Sequence, residues 1–143
     1  MKKTVNFVLV LAVIFGGLYA LLLVVAPQIV AESTLKARTG ETLATATDPG
    51  AAEALVVQTR HLGVFALCIT IALFFILFNA FKRAESWAWW AFFIIGIIVW
   101  GYGLVMQIIE KDMLNMILHI VGAVLWFVGI FIPYKLFFAK KAA

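Results

Sequence analysis

Apolar and polar positions alternate along this chain in long blocks, with four nearly unbroken hydrophobic runs at residues 5–26, 62–81, 87–109 and 113–132. At 1.5 Å of helical rise per residue, each is long enough to cross a hydrocarbon core of about 30 Å. A run that is apolar on every helical face belongs in a membrane, so each predicts a transmembrane helix. The joints between them differ. Residues 82–86 and 110–112 leave room only for tight antiparallel hairpins. Residues 27–61 read as an outer loop of about 30 residues between the first and second helices. Its middle, ARTGETLATATDPG, is polar and rich in Thr, Ala and Gly, which predicts flexible or lightly ordered chain. Asp48-Pro49 then reads as a helix start, with Asp at the N-cap and Pro at the first helical position. The second helix is therefore expected to project about three turns beyond the membrane before entering it. The expected fold class is all-α: a polytopic membrane protein, one domain over residues 1–143, built as a four-helix transmembrane bundle.

Composition agrees with that pattern. Hydrophobic residues make up 66% of the chain and charged residues 13%, a balance that excludes a soluble globular domain. The start, MKKTVNFVLVLAVIFGG, is similar to a secretory signal, but its apolar core runs well past the roughly 7–15 residues of a signal and reads as a retained first span. Charge sets the orientation. With four spans, Lys2, Lys3, Lys82, Arg83, Lys135, Lys140 and Lys141 share one side, and Lys36, Arg38, Arg60 and Lys111 share the other. The positive-inside rule then places both termini in the cytoplasm. Trp87, Trp89 and Trp90 fit an interfacial aromatic belt at the start of the third span. Short loops and lysine-rich ends point to a bacterial inner membrane. The net charge of +4 is split among the ends of the spans, which speaks against a nucleic-acid partner. The single cysteine, Cys68, rules out an internal disulfide and reads as a small apolar filler.

Helices in lipid associate by close packing, so small residues mark their contacts. Gly96 and Gly103 fall on one face of the third span, and Gly122 and Gly129 on one face of the fourth. These faces are expected to form the seam between the two spans. The stretch EKDMLNMILHI adds polar groups to the same faces. Asp112, Asn115, His119, Gly122 and Trp126 recur at helical spacing on the fourth span, as do Gly96, Trp100, Gly103, Gln107 and Glu110 on the third. Glu110, Lys111 and Asp112 are read as a turn that meets water. A pocket of His61, Gln107, Glu110, Asp112, Asn115 and His119 in the outer half of the membrane is expected.

Three chemistries compete for that pocket. In the first, His119 is neutral and hydrogen-bonds Gln107, Asn115 or a backbone carbonyl, holding the hairpin together. In the second, His119 and His61 ligate a metal, a haem or a pigment. In the third, Glu110 and His119 pass protons, although the middles of the spans offer only glycine and aromatic groups. Catalysis has little to build on: no nucleophile lies beside a base, and no C-x-x-C or phosphate-binding glycine loop occurs.

Several features together carry a resemblance. The first span holds Gly16-Gly17 and closes at Ala26-Pro27, Arg60-His61-Leu62-Gly63 opens the second, and Lys82-Arg83 precedes a Trp-rich third. In these the chain resembles the DoxX-like group of small four-helix bacterial inner-membrane proteins. The resemblance implies an accessory role beside membrane-linked redox complexes, while the absence of a cysteine pair argues against thiol handling. The leading expectation is a non-catalytic accessory or assembly subunit. Trp100, Trp126 and the many phenylalanines would contact other membrane subunits or a second copy, with the lipid bilayer around them. The alternative is a haem-, pigment- or metal-binding redox protein using His119 and His61.

Overall fold

Residues 7–138 are described in the structure, a computed structural model; Lys2, Lys3, Lys140, Lys141 and the first-span residues Val5 and Asn6 lie outside the described residues. Every regular element among the described residues is helical. We number them α1 (Phe7–Val25), α2 (Pro27–Thr39), α3 (Pro49–Phe81), α4 (Ser86–Glu110), α5 (Met113–Phe131) and α6 (Tyr134–Phe138). By length and composition α1, α3, α4 and α5 can each cross a membrane. Two stretches widen to π-helical geometry, the last turn of α3 (Leu77–Phe81) and the middle of α4 (Ile97–Tyr102).

The region expected as an outer loop, residues 27–61, is mostly helix. Ala26 leaves helical geometry (φ −133°, ψ 56°) because the residue before a proline is pushed out of the α region, and Pro27 then starts a new helix. Gly40 ends that helix in the left-handed region (φ 78°), its N–H donating to the Lys36 carbonyl. Lys36 and Arg38 sit in the last turn, where the helix dipole favours cations. Asp48 caps α3 as its sequence predicts, accepting from the Ala51 N–H at 3.0 Å. Only residues 40–48 are irregular, and side chains organise them: Glu32 accepts from the Leu43 N–H at 2.7 Å, and Glu41 accepts from the Thr47 N–H at 3.1 Å.

Helix α1 packs along both α3 and α5, and α5 packs against α4. Glycines set these approaches. Gly63 of α3 lies so close to α1 that a Cβ there would stand 2.6 Å from Leu23 Cβ and 2.9 Å from the Leu23 carbonyl carbon. Between α4 and α5, Gly96 receives Trp126, Gly103 receives His119, and Gly122 receives Trp100. Gly129 departs from the expected seam and meets the Leu9 backbone of α1 instead. Two indoles lock the α4–α5 contact reciprocally: Trp126 Nε1 donates to the Phe92 carbonyl at 3.0 Å, and Trp89 Nε1 donates to the Ile130 carbonyl at 3.1 Å. Trp89 is thus buried rather than part of a lipid belt, while Trp87 and Trp90 are exposed. Trp100 and Trp126, expected as contact residues for other subunits, are buried within the chain as well.

Glycine substitutions separate close packing from open surface. Gly63→Ala should lower stability by about 1–2 kcal/mol, because the backbone of α1 must move to admit the methyl group. Gly101→Ala, whose Cβ meets nothing closer than Ile97 Cγ2 at 4.0 Å, should be neutral or stabilising by up to about 1 kcal/mol. Thermal unfolding in mild detergent, followed by tryptophan fluorescence, ranks the two.

Candidate functional site

The turn between α4 and α5 begins the site. Lys111 adopts the left-handed region (φ 57°), and the Asp112 N–H bonds back to the Gln107 carbonyl at 3.1 Å. Asp112 then caps α5. Its Oδ1 accepts from the Asn115 N–H at 3.2 Å and its Oδ2 from Asn115 Nδ2 at 2.7 Å. Two hydroxyls of α2 complete the shell, Ser33 Oγ donating to Oδ1 at 2.7 Å and Thr34 Oγ1 to Oδ2 at 3.0 Å. Asn115 Oδ1 accepts in turn from the Tyr19 hydroxyl at 3.1 Å. One carboxylate therefore ties α2 to α5, and through Asn115 reaches α1. Arg38 of α2 pairs with Glu110 and fastens α2 to the end of α4.

The expectation that residues 110–112 simply meet water fails at Asp112, which is 0% exposed, with Asn115 at 1%. Burial pushes the Asp112 carboxyl up, but hydrogen bonds from Ser33, Asn115 and Thr34 outweigh it and hold the group below its usual range. The charged form is the one the site is built for.

One turn deeper, His119 is 9% exposed. Its Nδ1 lies 2.8 Å from the Asn115 carbonyl oxygen. A carbonyl can only accept, so Nδ1 carries the proton and Nε2 of the neutral ring keeps its lone pair. Tyr19 and Trp100 meet the ring edge-on, at centroid distances of 5.8 and 5.9 Å. The Cδ2–Nε2 edge lies against Gly103, where a Cβ would stand 2.4 Å from Cδ2. His119 therefore holds the hairpin by packing on α4, while its hydrogen bond stays within its own helix.

These groups line a cleft of about 610 Å³. Helices α3 and α4 meet chiefly where the π turn of α3 touches the start of α4, and the rest of their length stands apart. The gap is lined from Leu55 to Leu73 along α3, about 27 Å at 1.5 Å per residue, and from Ile95 to Glu110 along α4. Its back wall is α1 and α5, including Val13, Gly16 and Trp126. Its rim residues Leu62, Phe65, Ile98 and Tyr102 are 61–68% exposed, so the cleft opens sideways between α3 and α4. Polar groups gather at the α2 end: Tyr19, Thr34, Gln107, Glu110, Asn115 and His119. Gln107 Oε1 is buried there and is the one such side-chain atom without a hydrogen-bond partner among the described residues.

The structure thus brings Gln107, Glu110, Asn115 and His119 into one cleft and sets Asp112 beneath it. His61 is not among them. It lies on another face of α3, with Gly50, Glu53, Ala54, Val57 and Gln58. The two histidines do not meet, and no group of three or more His, Cys, Asp or Glu that could hold a metal occurs among the described residues. Tyr19, Ser33 and Thr34 were absent from the sequence-based pocket. The signal that could have found the last two is the bracket of Pro27 and Gly40, which marks a helix able to present them together. No known protein family, curated protein or solved structure matches the chain.

Asp112→Ala should cost about 2–3 kcal/mol, through loss of the cap and of the acceptor for the Ser33 and Thr34 hydroxyls. The folded carboxyl titrates below the unfolded one, so the unfolded chain binds the extra proton in acid. The Asp112 contribution is then complete above about pH 3.9 and is lost as pH falls through the lower, folded value. Melting temperature against pH for wild type and Asp112→Asn checks this: the two curves should run parallel from neutrality to about pH 4 and converge below it.

Proposed function

We propose that the chain is a non-catalytic integral membrane protein, a four-helix bundle that takes an amphiphilic small molecule from the surrounding bilayer into the α3–α4 cleft. The observation that carries this reading is the cleft itself. It is apolar along most of its length, open toward the side that lipid would occupy, and polar at one end. Ligand sites are commonly concave and mostly apolar, with a few convergent polar groups that fix orientation. An amphiphile matches that layout, with its apolar part along Leu73, Ile69 and Val99 and its head at Gln107 and His119.

Charge asymmetry supports a cytoplasmic location for both termini, and in the proposed bacterial inner membrane the α2 end would then face the outer side. The head of the ligand then lies near the outer interface, where an amphiphile already keeps its polar group. We extend to this protein the accessory role that the DoxX-like resemblance implies, with the ligand carried for a larger membrane complex. A haem or pigment held between His61 and His119 fits the geometry less well, because those side chains line different surfaces.

The test is extraction of bound lipid from protein purified in mild detergent, followed by mass spectrometry. Wild type should carry one lipid class near one equivalent, enriched over its share of the membrane. Ala66→Trp, which places an indole in the cleft, should lose at least nine-tenths of it while keeping its helical circular dichroism. Recovery of bulk membrane lipid in its bulk proportions from both forms would sink the reading.

A further inference from the structure

We infer that the cleft selects an uncharged amphiphile whose head donates a hydroxyl proton, an alcohol or phenol, over anionic phospholipids and over ethers of the same shape; this inference rests on the cleft being a binding site. Three observations at the polar end carry it. In a neutral His119 ring Nε2 is a lone pair, because the single ring proton is committed at Nδ1 to the Asn115 carbonyl. Nε2 itself has no hydrogen-bond partner among the described residues, and His119 lines the cleft. It can only accept.

Gln107 supplies the second. Gly103 touches the His119 ring, and Gln107 lies one turn further along the same face of α4, about 6 Å toward the α2 end. Its Oε1 is occluded and unpartnered, which in a low-dielectric site is a standing cost until a donor arrives. A hydroxyl serves the Gln107 carboxamide in either rotation, since it both donates and accepts, but toward His119 only donation works.

The third observation is charge. Glu110 lines the cleft and is matched by Arg38. Asp112, directly behind Asn115, is held by four hydrogen bonds whose donors are all neutral: two hydroxyls, an amide and a backbone N–H. A phosphate head placed here would be repelled by the uncompensated Asp112 charge behind Asn115. A neutral hydroxyl head meets no such barrier.

A matched pair of probes isolates hydrogen-bond donation. Protein in phosphatidylcholine nanodiscs is titrated with para-dodecylphenol and, separately, with its methyl ether, para-dodecylanisole, and the fluorescence of the cleft tryptophan Trp100 reports occupancy. The phenol should bind about tenfold more tightly than the ether. That preference should shrink to within about twofold in His119→Phe, which keeps a ring against Gly103, and should fall clearly in Gln107→Leu. Gln107→Leu keeps the test intact even if His119→Phe fails to fold. Equal binding of the two probes by wild type, with both lost in Ala66→Trp, would overturn the donor inference and leave the cleft reading standing. Failure of both probes to bind would remove the cleft reading, and this inference with it. Displacement of the phenol by phosphatidylglycerol at equal concentration would assign the head site to an anion and overturn the proposal.

Discussion

A carboxylate without water must be satisfied entirely by the protein around it, and Asp112 meets that constraint with four donors drawn from two helices. An ionised group buried without such partners costs several kcal/mol, so the arrangement of its donors is not free to drift. Asn115 is fixed twice by the same carboxylate, once through its N–H and once through its amide. Fixing Asn115 in turn orients the Tyr19 hydroxyl and supplies the carbonyl that sets the His119 tautomer. Helix α2, whose sequence has no membrane-spanning apolar run, is held on the end of the bundle by the same group. Thr34 shows the economy of it, donating to Asp112 while lining the cleft that Asp112 does not itself reach.

The cleft follows from how the small residues are distributed. Close approach between helices in lipid needs a glycine or similar residue at the contact. Helix α3 uses Gly63 against α1, and α4 uses Gly96 and Gly103 against α5. The faces that α3 and α4 turn toward each other carry the large side chains Leu62, Phe65, Ile98 and Tyr102, and the one α4 glycine lining the gap, Gly103, is taken up by His119. They meet chiefly where the chain forces them together, near the residue 82–85 turn. The π-helical stretch of α4 falls at Trp100, which fills the space over Gly122 and stands edge-on to His119. A wider helical turn there lets one large side chain serve as floor of the cleft and as packing for α5 at once.

The four spans could be read from the sequence because the bilayer acts locally: a segment in hydrocarbon must be apolar over its own length and satisfy its own backbone. The Asp48-Pro49 start and the tight turns were legible for the same reason, since caps and breakers act over a few residues. Helix α2 was not, because a polar sequence is compatible with loop or helix and only its partner decides. That partner is remote, with 79 positions separating Ser33 from Asp112 and 78 separating Thr34 from it. Gln107, Glu110, Asn115 and His119, which helical spacing groups on two inward faces, all line the cleft. The same reading misplaced His61 because the orientation of α3 about its own axis is set by Gly63 against α1, a contact that periodicity along α3 cannot register.

The placement of polar groups also explains why the cleft can stay open. Thr59 and Thr70, on its α3 wall, each donate to a carbonyl four residues back, at 2.8 and 2.9 Å, and so commit their hydroxyl protons within α3. Most of the wall is thus apolar even where the sequence is not, and an acyl chain can fill it without loss. At the α2 end the balance reverses, because Gln107 and His119 keep hydrogen-bonding capacity that no side chain of the described residues uses. A cleft that is saturated along its length and unsaturated at one end favours a molecule entering chain-first from the lipid and stopping where its head meets those two groups. Selectivity then rests on the head alone, and on two side chains that α5 and α4 hold at fixed height because Asp112 holds the turn between them.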